Sequence, residues 1–418
     1  MRMSCATDPT QARCICRVDE HLDMTLSDLF SEFFRSERKG GLILLVCTLI
    51  SLALANSPIA QVYLDFWQYR IGSFFAPLGL ELPFAHWVND GLMTLFFLLI
   101  GLEIERELYR GELRDFRSAL LPLVAATGGM IVPAALYWAL NSGTATASGF
   151  GIPMATDIAF SLGALALLGS RVPSSLKVSL TALAIIDDLG AVIVIGVFYT
   201  HSLLLYYVAG AVALFLLLRL LNFWGVRLLA VYLAGGVLMW YCMMQSGIHP
   251  TVAGVLLAFA VPFGDGGDHS PSSRLQRLLH RPVAYGALPL FALANTSIPL
   301  AQGWYASYLE RNSLGIAAGL VLGKPAGIFC SSFLAVRAGL CRKPEEFSWR
   351  ALFGGGVLAG IGFTMSLFVC TLAFQDAHLV NSSVIAVLSS SALAAIAGLI
   401  VLSRPAVPAP LHQRRPPS

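Results

Sequence analysis

The chain has 418 residues, 56% hydrophobic and 12% charged, with a mean hydropathy of +0.73. Soluble domains carry about 25% charge, so this composition defines an integral membrane protein. A formal net charge of +3, with no long basic run, gives no basis for nucleic-acid binding, and eight cysteines with only Cys14 and Cys16 close together make no zinc or disulfide pattern.

Residues 1–38 are polar and mixed in charge, without an apolar stretch of signal-peptide type, and are expected to form a cytoplasmic tail. Met24 precedes a short amphipathic stretch, Leu26 to Phe34, so Met1 and Met24 both stand as translation starts. From residue 39 to 403 the pattern predicts an all-α transmembrane domain of twelve spans, each close to the length a bilayer core demands. They fall near 41–56, 87–106, 119–140, 153–170, 174–198, 203–221, 226–244, 246–262, 282–300, 314–336, 352–374 and 379–403. Between the first two, residues 57–86 are amphipathic, and the stretches from Arg70 and from Leu78 predict a small β-hairpin outside the membrane. Residues 404–418 form a second cytoplasmic tail.

Basic residues test that topology. Twenty-one of the 27 lysines and arginines fall in alternate loops, among them Arg106, Arg110, Arg114, Arg117, Arg274, Arg277, Arg281 and Arg342, while only Arg70 and Arg311 fall in the opposite ones. Such a bias places both termini in the cytoplasm of a multi-pass membrane protein, and a missed span would scramble it.

Two spans do not read as ordinary helices. The fourth runs Ile152-Pro153-Met154-Ala155-Thr156-Asp157, and the eleventh carries Gly355, Gly360 and Gly362 among five glycines, which weaken a continuous helix. Small residues also let membrane helices pack closely, but each weak span is the middle member of a three-span group, 3–5 and 10–12. The groups, near 119–198 and 314–403, enter from opposite sides. That is an inverted repeat with broken helices 4 and 11 in matching positions, the arrangement that marks a binding site.

Four ionisable residues belong to this core: Asp157 in the fourth span, Asp187 and Asp188 side by side in the fifth, and Lys324 in the tenth. A carboxylate at mid-bilayer depth costs roughly 2.5–3.5 kcal/mol on insertion scales, so a functional site outweighs a purely structural pair. Asp157 has two readings, neutralising facing helix N-termini or ligating directly. Lys324 likewise has two partners, facing helix C-termini or one of the aspartates. Carboxylates, Thr156 and carbonyls freed by an unwound helix suit a hard monovalent cation, and protons would compete for the same oxygens. A site that holds either, open alternately to each side, is an exchanger.

Ala155-Thr156-Asp157-Ile158-Ala159-Phe160, Ala182 through Gly190, Gly323-Lys324-Pro325 and Gly360 through Ser366 resemble, in order, the NhaA family of bacterial sodium/proton antiporters. The resemblance implies the same inverted repeat with two interrupted helices. The resemblance implies electrogenic, pH-regulated export of Na⁺, with Li⁺ as a substitute, against a larger number of H⁺, serving sodium and pH homeostasis. It implies Asp188 as main sodium and proton carrier, with Asp187 as a second metal ligand able to pair with Lys324, and Asp157 and Thr156 at the helix crossing. It also implies a homodimer through the 57–86 hairpin, surrounded by membrane lipid, and no cofactor. Glu103 would belong to a cytoplasmic pH-responsive cluster. Glu105 departs from the pattern, standing where the family carries lysine, and Arg277 stands where a histidine can occur. His249 and His280 are further candidates for a pH response, since histidine titrates near neutrality.

Three rivals are weaker. A sodium-coupled symporter needs a roomy polar cavity, an intramembrane aspartyl protease resembles its kin through Tyr-Asp and Gly-x-Gly-Asp motifs that do not occur here, and a channel has little use for carboxylates that trap protons.

Overall fold

The computed structural model describes residues 26–403 apart from 112, 201–202, 265, 268–269 and 301–303, and side chains from Lys39 onward apart from those of residues 75, 116–118 and 170. The tails, with Met24 and the basic residues after 403, lie outside the described residues. Among the described residues, eight helices are long and apolar enough to cross a membrane, ten if each of two bent pairs counts as one span. The chain is therefore a multi-pass membrane protein, and its helices expose leucine and phenylalanine outward as lipid-facing helices must. The helix Leu205–Phe223 shows this best, with Leu205, Tyr206 and Phe223 each at least three-quarters exposed.

The first helix runs without a break from Leu26 to Ala55, so the amphipathic stretch and the first apolar segment are one rod. A bend of 114° then sends the chain into Ala60–Gln68, too sharp a turn for one spanning helix. The expected hairpin forms in reduced shape. Strands β1 (Arg70–Ile71) and β2 (Leu82–Pro83) pair antiparallel with Arg70 opposite Pro83, and a 3₁₀ turn at Ser73–Leu78 occupies much of the intervening chain. Pro77 inside that turn and Pro83 in the strand both lack the N–H that a longer ladder would need.

Two expected spans are shorter than the sequence pattern. The stretch 246–262 holds only Val252–Ala260, nine residues and so about 14 Å of helix, because Gly247 turns left-handed and Pro250 delays the restart. In 282–300 the apolar helix ends at Asn295 and is preceded by a widened π turn at Val283–Ala287. A similar turn, Gly319–Gly323, comes just before Lys324, whose N–H donates to the Gly319 carbonyl five residues back. Pro325 has no N–H to give, so the ordinary ladder is already short of a donor there.

Both interrupted spans are present. The first begins earlier than expected, as a 3₁₀ helix over Ala147–Met154, is extended at 155–157, and resumes as Ile158–Leu167. Its leading half holds Gly149, Gly151 and Pro153, which hid it from an apolar-periodicity search. The second comprises Trp349–Ala359 and Phe363–Ala373, bent by 45°. Its break lies at Gly360–Gly362. A Cβ on Gly360 would stand 2.4 Å from the Leu320 carbonyl oxygen, so only glycine lets the backbones approach there. Gly355 is no part of the break. It lies inside the first half, pressed against Leu180.

Candidate ion-binding site

The site is built where the interrupted spans cross, from backbone groups that an unbroken helix would have consumed. The Asp157 amide donates to the Ile361 carbonyl (2.6 Å), and the hydroxyls of Thr156 and Ser161 donate to the carbonyls of Ala359 (2.9 Å) and Leu358 (3.0 Å). In return, the Ser366 hydroxyl donates to the Ile152 carbonyl at 2.7 Å. Each broken segment thus satisfies the open ends of the other.

Asp157 sits at both helix N-termini at once. One oxygen caps its own helix, accepting from the Phe160 amide at 3.0 Å. The other accepts from the Thr364 amide (2.9 Å) and hydroxyl (2.6 Å) at the start of Phe363–Ala373. A carboxylate at two N-terminal ends opposes their partial positive charge, so the structural role of Asp157 is realised in full.

Lys324 does both things the sequence left open. It is completely buried, pairs with Asp187 and donates to the carbonyl of Met154, the last residue of the leading 3₁₀ half. The other C-terminal end, at Ala359, is served by the Thr156 hydroxyl instead. One cation could not reach both ends and the aspartate, and a threonine suffices where only one carbonyl needs a donor.

Asp187 and Asp188 lie on Ser174–Phe198, about 100° apart around its axis, and are 0% and 1% exposed. Asp187 gives one oxygen to Lys324, while the other faces Thr156 without a closed hydrogen bond. Neither oxygen of Asp188 accepts a hydrogen bond from the described residues, and its charged neighbours are Asp187, Asp157, Lys324 and Glu103. Buried polar atoms are almost always satisfied, so three bare carboxylate oxygens in one place need an occupant. Among the described residues no group of three or more His, Cys, Asp or Glu is arranged to hold a metal ion. The donor set is instead two carboxylates with the Thr156 hydroxyl oxygen beside them, which fits a weakly held alkali cation or protons.

The candidates for a pH response separate into two places. Glu103 bonds to Gln276, and Glu105, almost fully buried, accepts from Ser272 at 2.9 Å. Both therefore face Pro271–Pro282, the helix that carries His280 near its end. Burial first, and then the neighbouring Arg281, hold the His280 imidazole below its ordinary pKa. Glu105 also lines a cavity of about 700 Å³ with Arg110, Arg114 and Arg219. His249 is not part of this group. It lies 3.9 Å from Asp90, which also contacts His86 at 2.8 Å, and its ring meets Phe368 edge-on. Asp90 precedes Glu103 by 13 residues, about 20 Å along a helix. The hydroxyls of Thr364, Ser366 and Ser161 were not singled out from sequence. Their signal was position, since each lies within a few residues of a break.

A buried ion pair beside bare carboxylates, at the crossing of two interrupted helices in a multi-pass membrane protein, defines a class: the secondary carriers. Comparison with known proteins narrows the class to a family. The family model described as Na+/H+ antiporter 1 matches residues 31–402, and the chain belongs to that family. It is 52% identical over 379 residues to the Na(+)/H(+) antiporter NhaA of Flavobacterium psychrophilum, covering 91% of this chain and 97% of the relative. It is 53% identical over 382 residues to the protein of the same name from Dechloromonas aromatica, covering 90% and 96%. The NhaA of Mesorhizobium japonicum is 47% identical over 382 residues, covering 90% and 94%.

Proposed function

We propose that this chain is a sodium/proton antiporter that exports Na⁺, and Li⁺ in its place, against a larger number of H⁺. The observation that carries the reading is the set of bare oxygens on Asp188 and Asp187 beside the buried Lys324. Cation and protons fill the same oxygens, so occupancy by one excludes the other, and moving the site between faces couples their flows. Two adjacent carboxylates can release more than one proton per cation, which makes the cycle electrogenic. Asp188 is the main carrier, Asp187 the second ligand, Thr156 a neutral donor atom, and Asp157 the holder of the crossing.

The same reading completes the topology. Val252–Ala260 and the helix ending at Asn295 serve as short eighth and ninth spans, giving twelve. The repeats near 119–198 and 314–403 are inverted, and the arginine-rich loops with both termini face the cytoplasm of a bacterial inner membrane. The 57–86 segment joins two copies, and Glu103 and His280 set the response to cytoplasmic pH for sodium and pH homeostasis. The test is Asp188→Asn in inverted membrane vesicles, with a pH dye inside and Na⁺ added outside. Na⁺-driven proton movement should vanish while the protein still inserts and folds. Exchange at the wild-type rate in that variant would overturn the assignment.

A further inference from the structure

The leading half of the first interrupted span is held from outside itself. Helices of 3₁₀ type have poor internal hydrogen-bond geometry and rarely run beyond a few residues, yet Ala147–Met154 runs for eight. Two buried tyrosines supply what it lacks. The Tyr199 hydroxyl donates to the Ser148 carbonyl at 2.7 Å and accepts from the Gly151 amide at 3.2 Å. The Tyr137 hydroxyl lies 2.8 Å from the Thr146 carbonyl and 2.7 Å from Asn312 Oδ1, sharing its proton between them. Both oxygens sit directly on glycine backbone. A Cβ on Gly149 would stand 2.3 Å from the Tyr137 oxygen, and one on Gly151 would stand 2.6 Å from that of Tyr199.

These bonds join the elements that carry the charges. Tyr199 lies 12 residues beyond Asp187 in sequence, and Asn312 lies 12 before Lys324, each about 18 Å along a helix. Asn312 also donates to the Ser383 hydroxyl at 2.7 Å, which brings in Ala377–Ser403. The far end of the held segment is Met154, whose carbonyl takes the Lys324 ammonium. These bonds close the end away from Arg171 and Lys177, and Cys370, 0% exposed, lies near both tyrosines.

We propose that Tyr137 and Tyr199 are positioning residues that latch the leading half of the first interrupted span, and that the ion site opens to the arginine-poor face only when their hydroxyl bonds break. The proposal rests on the carrier reading for its two faces. Its geometry does not need the cargo to be sodium.

The test uses Tyr199→Phe and Tyr137→Phe in the full-length protein, in vesicles of both orientations. Phenylalanine keeps the ring packing and removes only the hydroxyl. In Tyr199→Phe, Cys370 should react with N-ethylmaleimide about thirtyfold faster, the shift that losing two ordinary hydrogen bonds, to the Ser148 carbonyl and from the Gly151 amide, gives an equilibrium. Mass spectrometry reads the rate, with Cys341 unchanged as reference. The apparent KM for Na⁺ should rise from the arginine-rich face and fall from the other, whereas a merely structural loss would lower yield without splitting the two faces. In the unmodified protein, Cys370 should label faster during Na⁺-driven exchange than at rest, which needs no variant to fold. Equal Cys370 rates in a folded variant and in wild type, or a KM change of the same sign on both faces, would overturn the latch. If the wild type exchanges no Na⁺ for H⁺, the antiport reading fails, while the Cys370 rates in the variants still decide the latch.

Discussion

Lys324→Met probes the pair on which the site depends. The change removes an ammonium that contacts Asp187 and the Met154 carbonyl, in a place where Lys324 and Asp187 are both 0% exposed. Breaking a buried pair from one side costs about 3–5 kcal/mol, mostly because the remaining charge is left uncompensated. Replacing both partners with neutral groups of similar size removes that penalty, so Lys324→Met with Asp187→Asn should recover about half of the loss. Recovery stops short of wild type because the Met154 carbonyl still lacks a donor, a deficit of about 1–3 kcal/mol. The double variant should therefore be more stable than Lys324→Met by about 2 kcal/mol. Equilibrium unfolding in detergent at one fixed pH, followed through the seven tryptophans, measures all four corners of the cycle. A double variant no more stable than the single one would show that Lys324 serves the helix end alone.

Three further outcomes follow from the geometry. Gly360→Ala would drive a methyl into the Leu320 carbonyl and should destabilise by about 1–3 kcal/mol or more, whereas Gly286→Ala meets open space and should stay within about 0.5 kcal/mol in the same thermal assay. Thr364→Val keeps the amide bond to Asp157 but loses the hydroxyl bond, which should cost about 1–2 kcal/mol in thermal unfolding and be largely spared in Thr364→Ser. His280 has a folded pKa below its ordinary 6.5, so the unfolded chain binds the proton more readily, and stability falls as pH drops below that value. His280→Gln should flatten this loss, read as unfolding midpoints at about pH 5 and about pH 7.5.

What could be read from sequence followed the strength of the physical constraint. Four charges in apolar runs were conspicuous because lipid tolerates so few, and the structure gathers Asp157, Asp187, Asp188 and Lys324 at one crossing. The breaks at 155–157 and Gly360–Gly362 were legible from proline and glycine. Gly355 was misread, since a glycine that admits a neighbouring Leu180 has the same letter as one that ends a helix. The leading half of the first interrupted span has no local signature, since Gly149, Gly151 and Pro153 interrupt its apolar pattern and its support comes from tyrosines of other helices. For the same reason His249 could not be assigned to an end of the molecule: its partner Asp90 is 159 residues away in sequence.

The widened turn before Lys324 has a consequence for phase. A turn that closes over five residues takes up one more than an α-helical turn, and one residue rotates the chain by about 100° around the axis. The direction of the ammonium is therefore set by how many residues precede it as well as by their identity. Leu322, inside that turn, is 65% exposed and packs little against the interior, so its side chain could be exchanged widely. An extra residue in an ordinary α turn would swing the ammonium by about 100°; the wider turn absorbs it, so Lys324 still faces Asp187 although one more residue precedes it.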